Sequence, residues 1–349
     1  LLLVLGVGLS EWMLTMLKTR EELLDKAVLY LRIYYLGMPA LAIYNFGNAV
    51  YSAVGNTKKP LYYLGFSGVL NIILNLFFVI VCHMDVAGVA LASIISQYVS
   101  AALILQALLH CKDIYALHPG KLRLDPELTK DILKLGMPSG LQNVIFQFAN
   151  SFVQMGVNSF DATMVAGNSA ATNADAMVYD VMAAFYTACG SFMGQNYGAG
   201  KQERIRKGLK GAVLVSVLFC VIVSALVFVF AKPLMLLFVE AGETEIIAEG
   251  VRYLHIEGAF YCGIGCLFLL YGLYRAVAKP GMSVVLTVIS LGTRVVLAYL
   301  LSAIIGVAGI WWSVPIGWFL ADATGVVYYF IHKEKLLHFG ESNLKRTES

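Results

Sequence analysis

Ten nearly unbroken apolar runs alternate with short polar breaks along this chain: 1–16, 27–54, 61–81, 86–109, 131–157, 164–193, 211–230, 250–274, 282–304 and 308–331. A helix crossing the bilayer's hydrocarbon core needs about 20 such residues. Spans of a membrane barrel are about ten residues long and alternate polar with apolar, and these runs do not. The pattern predicts an all-α polytopic membrane protein with about ten spans. Several runs exceed the minimum, so tilts and kinks are expected. Gly37-Met38-Pro39 and Gly136-Met137-Pro138 sit early in their segments, where a proline is tolerated or bends the helix. The chain opens LLLVLGVGLS, already inside the first run. That run lacks the basic lead and Ala-x-Ala site of a signal peptide, so it reads as a spanning helix truncated at its start.

The polar breaks are charged unevenly. Taking alternate connections, one set carries 18 of the 25 Lys and Arg residues, Lys345 and Arg346 among them. The other set carries five, including Lys18 and Arg20, while Arg32 and Arg294 fall within spans. Positive charge marks the cytoplasmic side, so the rich set and the C-terminus are expected there, and the acidic AGETEIIAEG loop outside. Composition agrees: 59% hydrophobic, 13% charged, mean hydropathy +0.75, against about a quarter charged in soluble proteins. A net charge of +3 gives no reason to expect nucleic acid as a partner. The six cysteines form no Cys-x-x-Cys pair, and most lie in apolar runs as small hydrophobes.

The chain repeats itself. YLRIYYLGMP at Tyr30 matches YLHIEGAFYC at Tyr253, VYSAVGNTKKP ending at Pro60 matches LYRAVAKP ending at Pro280, and DVAGVALAS at Asp85 matches GVAGIWWS at Gly306. The offsets are 223, 220 and 221 residues. Spans 1–4 therefore correspond to spans 7–10 in the same orientation, and the partners of spans 5 and 6 are expected upstream of Leu1. This predicts two parallel pseudo-symmetric six-helix halves: a truncated N-terminal half over 1–110, a cytoplasmic linker over 111–130, a six-span half over 131–332, and a cytoplasmic tail over 333–349. Parallel repeats of this kind build transporters, with binding at the interface of the halves.

GMPSGLQN at 136–143, NSAATNADAMVYD at 168–180, GQNYGAGKQERIRK at 194–207 and VYSAVGNTKKPLYYLGFSGVLNIILN at 50–75 carry a resemblance. The chain is similar to the multidrug and toxic compound extrusion (MATE) family of secondary transporters, in its bacterial DinF-like branch, from the third family helix onward. Gly194, Gln195, Asn196, Gly198, Ala199 and Gly200 form the family's turn motif, whose glycines are expected to permit tight backbone and close helix approach. The resemblance implies cation-coupled export. Two family features are missing: the first two helices with their coupling Asp, and a Glu of the seventh family helix, where Phe146 and Gln147 stand instead. The coupling ion, H⁺ or Na⁺, therefore stays open.

Ionisable groups inside a bilayer are costly and mark function. Asp180 lies roughly 22 Å from the Gln195 turn at about 1.5 Å per residue and is the leading ion-coupling candidate, followed by Glu257 and Asp322. Asp175, a little over one turn further out, reads as an interface residue. Arg294, mid-span, needs a partner or water, and an internal ion pair would supply one. Asn143, Gln147, Asn150 and Gln154 fall at i, i+4, i+7 and i+11, one helical face, expected to line a cavity or to bond between helices. Asn71 and Asn75 repeat the spacing in the first half. Tyr179, Phe185, Tyr186 and Phe148 offer aromatic faces to cations or pack.

Together these features predict a secondary active antiporter of organic cations, driven by H⁺ or Na⁺ through alternating access. The alternatives are a lipid-linked oligosaccharide flippase, whose phosphates would require a cationic cavity, and a narrow-substrate exporter. No His-Glu-x-x-His, Gly-x-Ser-x-Gly or nucleotide-binding motif occurs, so an enzyme or an ATP-driven pump is not expected. Neither a cofactor nor a bound metal is expected. The setting is the bacterial inner membrane, the protein a multi-pass monomer whose partners are small organic cations and the lipid bilayer.

Overall fold

The computed structural model describes residues 2–16 and 21–337. Every regular element among them is helical. Lys18, Arg20, Lys345 and Arg346, used above to orient the chain, lie outside the described residues. Two compact units divide the chain, Leu1–Arg123 and Leu124–Ser349.

The first unit holds α1 (Leu2–Met16), α2 (Glu21–Leu36), α3 (Met38–Ala53), α4 (Lys58–Leu76) and α5 (Asp85–Leu109). α2 and α3 form one bent rod, with a turn of 43° at Gly37. Gly37 packs its bare Cα against Gln97 of α5, and Pro39 at the start of α3 removes a backbone donor where a helix start needs none. α4 runs on through a π-helical turn, Phe77–Val81. Lys26 Nζ and Asp85 Oδ2 pair at 2.7 Å between α2 and α5.

The second unit holds α6 (Pro126–Val157), α7 (Ala162–Gly198), α8 (Gln202–Met235), α9 (Thr244–Gly258), α10 (Tyr261–Ala276), α11 (Pro280–Ile305) and α12 (Val307–Leu337). Asp125 caps α6 by accepting from the backbone N–H of Glu127 and Leu128, and Asp161 caps α7 through Met164. α6 thus starts inside the stretch read as a linker, and α12 ends inside the stretch read as a tail. α6 continues through Pro138, whereas α8 kinks at Phe230, just before Pro233. The core is wide and rich in aromatics, with Tyr261, Tyr274, Trp311 and Met182 fully buried.

The rods follow the ten apolar runs in order. Among the described residues five helices are long and apolar enough to cross a membrane: α4 with its π turn, α5, α8, α11 and α12. Two bent pairs, α2–α3 and α9–α10, pass as single spans. α1 is apolar but short. α6 and α7 have the length, but their polar residues keep them below the apolarity of the others, which is where a site inside a membrane protein belongs.

The backbone carries the repeat more fully than the sequence does. α2–α3 bends by 43° and its counterpart α9–α10 by 53°. Gly55 and Ala278, each just past the end of the second rod, have positive φ. So do Asp85 and Gly306, which open the matched segments DVAG and GVAG. One packing contact survives with its partners exchanged. In the first unit a Cβ on Gly47 of α3 would lie 2.9 Å from Ile104 of α5; in the second a Cβ on Gly325 of α12 would lie 2.7 Å from Leu270 of α10. Gly47 corresponds to Leu270 and Ile104 to Gly325, so each crossing keeps one small and one branched residue while the helices trade roles.

Candidate functional site

The second unit holds a half-open cavity of 330 Å³ between α6, α7, α9, α11 and α12. α7 supplies Asn168, Thr172, Asp175 and Tyr179, spaced i, i+4, i+7 and i+11 on one face. Small residues set that face. Gly167 lets the backbone of α9 approach so closely that a Cβ would lie 2.9 Å from Ile246 O, and Ala170, Ala171 and Ala174 are buried beside it. α9 then breaks after Gly258, and the break aims three side chains inward.

Asp175 is 4% exposed and Glu257 1%. Both acids line the cavity. Tyr261, the first residue of α10, donates its hydroxyl to Asp175 Oδ1 at 2.6 Å. Tyr253, one turn before Glu257 on α9, reaches Asp175 Oδ2 at 3.4 Å. The bend between α9 and α10 is what allows tyrosines on both sides of it to converge on one carboxylate.

Arg294 of α11 lines the same cavity. Its hydrogen-bond partner is Asn150 Oδ1 of α6, at 3.2 Å, rather than a carboxylate, and its buried Nε has no partner among the described residues. The ion pair expected for it is replaced by this amide contact. Trp311 of α12 donates to Asn168 Oδ1 at 3.0 Å and sets its ring edge-on to Tyr253. The cavity therefore holds three acids, Asp175, Asp180 and Glu257, and one base, Arg294.

Asp180 lines this cavity but is exposed. Asp175, assigned to the interface from its depth, is instead the buried member. Counting residues from a turn gives height along a helix and leaves rotation about its axis open, and the four-residue face on α7 is the signal that would have found it. Of the α6 stripe, Asn150 and Gln154 line the cavity, while Asn143 and Gln147 are exposed outside it. Gln142, off that stripe, is buried and accepts from Arg275 Nη2 at 2.6 Å. Asn75 donates to Asn71 along α4 at 3.0 Å, a bond within one helix rather than between helices. Asp322 sits apart from the cavity against α10, with Oδ2 facing Gly263 and Oδ1 buried without a partner among the described residues. Among the aromatic candidates Tyr179 lines the cavity; Phe185 packs on Phe219, Tyr186 accepts from Arg275, and Phe148 is exposed.

The turn motif lies away from the cavity and is structural. Gly200 has φ +66°, the left-handed region that favours glycine. Asn196 is buried, and its Nδ2 donates to Phe192 O at 2.7 Å. A Cβ on Gly194 or Gly198 would meet nothing within 4 Å, so the close helix approach expected of them is absent. The close approach falls one turn earlier, where Gly190 faces Gly272. Among the described residues no cluster of three or more His, Cys, Asp or Glu is arranged to hold a metal ion.

The family model MatE matches residues 1–77 and 138–300. The chain belongs to the MatE family. Its members are transporters and not enzymes, so this chain is a multi-pass membrane protein with a transporter role. The probable multidrug resistance protein YpnP of Bacillus subtilis (strain 168) is 32% identical over 327 residues, covering 93% of this chain and 72% of that protein. The probable multidrug resistance protein NorM of Thermotoga maritima is 24% identical over 302 residues, covering 83% of this chain and 63% of that protein. Such bacterial relatives agree with the bacterial branch read from the motifs. A solved transporter of the MOP superfamily from Pyrococcus furiosus superposes with a TM-score of 0.90 at 20% identity, over 96% of this chain and 75% of its own, which shows the fold.

Proposed function

We propose that this MatE family member exports organic cations in exchange for protons, and that Asp175 and Glu257 form the proton site. The observation that carries this reading is that two acids, Asp175 and Glu257, are buried and line one cavity. Such acids take up or lose a proton at a cost set by their surroundings.

The cycle follows from charge. Deprotonated, the site offers net negative charge to a cation, with the aromatic side chains of Tyr179 and Trp311 lining the same cavity. Protonation removes that charge, and Arg294 then weighs against the cation and favours its release. A ligand shifts a conformational balance only through its differential affinity for the two states, and here the proton supplies that difference. Three acids against one base also disfavour a phosphate-bearing lipid-linked substrate, the flippase alternative. Lys and Arg asymmetry supports an inner-membrane placement with the basic connections and the C-terminus cytoplasmic. We take the working unit as a monomer with small organic cations and the lipid bilayer as its partners.

The test is ethidium efflux from an efflux-deficient bacterium under imposed pH or Na⁺ gradients. Efflux driven by the pH gradient, and lost in both Asp175→Asn and Glu257→Gln, is expected. Efflux driven by Na⁺ alone, or full activity in either variant, would overturn the proton assignment.

A further inference from the structure

α8 and α12 each pack on α10 and leave between them a second, larger hollow of 810 Å³. Its floor is the buried leucine face of α10, Leu269, Leu270 and Leu273. Its walls are exposed apolar side chains, Leu214 and Val217 on α8 and Phe330 on α12. The α8 wall from Arg206 to Val217 is roughly 16 Å long at 1.5 Å per residue, about the depth of hydrocarbon in one leaflet. An apolar channel of that length, open toward the surrounding bilayer, has the dimensions of an acyl chain.

The mouth is cationic. Arg206 and Lys210 of α8 and Lys333 of α12 stand at one end of the hollow. Glu334 is the acid beside them: Arg206 Nη2 donates to both of its carboxylate oxygens, at 2.7 and 2.8 Å, and ties α8 to α12. That contact leaves the guanidinium incompletely satisfied, because Arg206 Nε is buried and has no partner among the described residues. Three cations against one carboxylate, with an orphaned donor among them, call for an anion bearing several acceptor oxygens. These groups sit at the end of an apolar channel, so that anion is attached to a hydrocarbon chain.

We propose that this groove binds an anionic phospholipid, with an acyl chain along α10 and the headgroup phosphate between Arg206, Lys210 and Lys333. The proposal does not rest on the transport reading, since the groove shares no residue with the acid cavity.

Native mass spectrometry of the purified chain, given equimolar phosphatidylglycerol and phosphatidylcholine, tests it. A single selectively retained phosphatidylglycerol is expected. A basic residue near anionic lipid strengthens binding about fivefold, so Lys210→Gln with Lys333→Gln should lower the preference by about 25-fold. Lys207→Gln, whose lysine pairs with Glu203 outside the groove, should leave it unchanged. Glu334→Gln removes the competing acid, frees Arg206 and should raise the preference, a gain that misfolding does not produce. Equal retention of the two lipids, a preference that survives in the double variant, or no gain in Glu334→Gln would mean non-selective annular lipid only and would overturn the proposal.

Discussion

Tyr261 donates to Asp175 across 2.6 Å, and Tyr253 reaches the other oxygen of the same carboxylate at 3.4 Å. The two tyrosines lie on opposite sides of the 53° break between α9 and α10, so the bend is fastened to α7 through one acid. Their unequal distances give an ordering. Hydrogen bonds to charged groups contribute about 1.5–3 kcal/mol, whereas those inside membrane proteins average about 0.6. Tyr261→Phe is expected to lose roughly 1–2 kcal/mol, visible as a lower melting temperature in detergent, and Tyr253→Phe distinctly less. Equal losses would mean that packing of the rings, rather than the hydrogen bonds, sets the cost.

Asp180 gives the contrast within the same helix. It lines the cavity from an exposed position, so water screens its charge and removal leaves no buried partner unpaired. Asp180→Asn is expected to change pH-driven ethidium efflux by less than about threefold, against a loss of at least about tenfold for Asp175→Asn. Reversed magnitudes would return the proton site to Asp180.

The order of the helical segments was legible because each is written in an apolar run, and the repeat was legible because the joints between helices reuse the same short segments. What the sequence reading placed poorly depends on rotation about a helix axis. Asp175 and Asp180 differ by five residues, so they point in different directions, and which one is buried depends on where Gly167 and its neighbouring alanines let α9 settle. The α6 stripe fails in the same way. Its periodicity is real over Asn143, Gln147, Asn150 and Gln154, but only its second half comes level with α11 and α12. The bend after Gly258 left no proline to read, although the Gly-Met-Pro of the first copy marked the equivalent joint.

The hallmark turn separates conformational glycines from incidental ones. Gly200 has a left-handed backbone and open space around it, so Gly200→Ala is expected to cost about 1–2 kcal/mol from backbone strain alone. Gly194 is helical with nothing near its absent Cβ. Gly194→Ala should be neutral or stabilise by up to about 1 kcal/mol through reduced freedom of the unfolded chain. Melting temperatures of the two variants should move in opposite directions or differ by several degrees; a larger loss at Gly194 would assign that glycine a contact beyond its own unit.

The exchanged contact between the repeats supplies a test of packing that needs no transport assay. Gly325 lies under Leu270, with Leu286 beside it at 3.1 Å from the missing Cβ. Gly325→Ala forces a methyl group into that space and is expected to destabilise by about 1–3 kcal/mol. Leu270→Ala alone empties part of the same space and costs about 2–5 kcal/mol. Combined, the new methyl occupies room the leucine vacated, so the double variant should lose less than the two single losses added, by about 1 kcal/mol or more. Leu286 does not move in either change, and for that reason the relief should stay partial. Strict additivity in detergent unfolding would mean that the helices yield at this crossing instead of interlocking, and the correspondence with Gly47 and Ile104 in the first unit would then be one of position only.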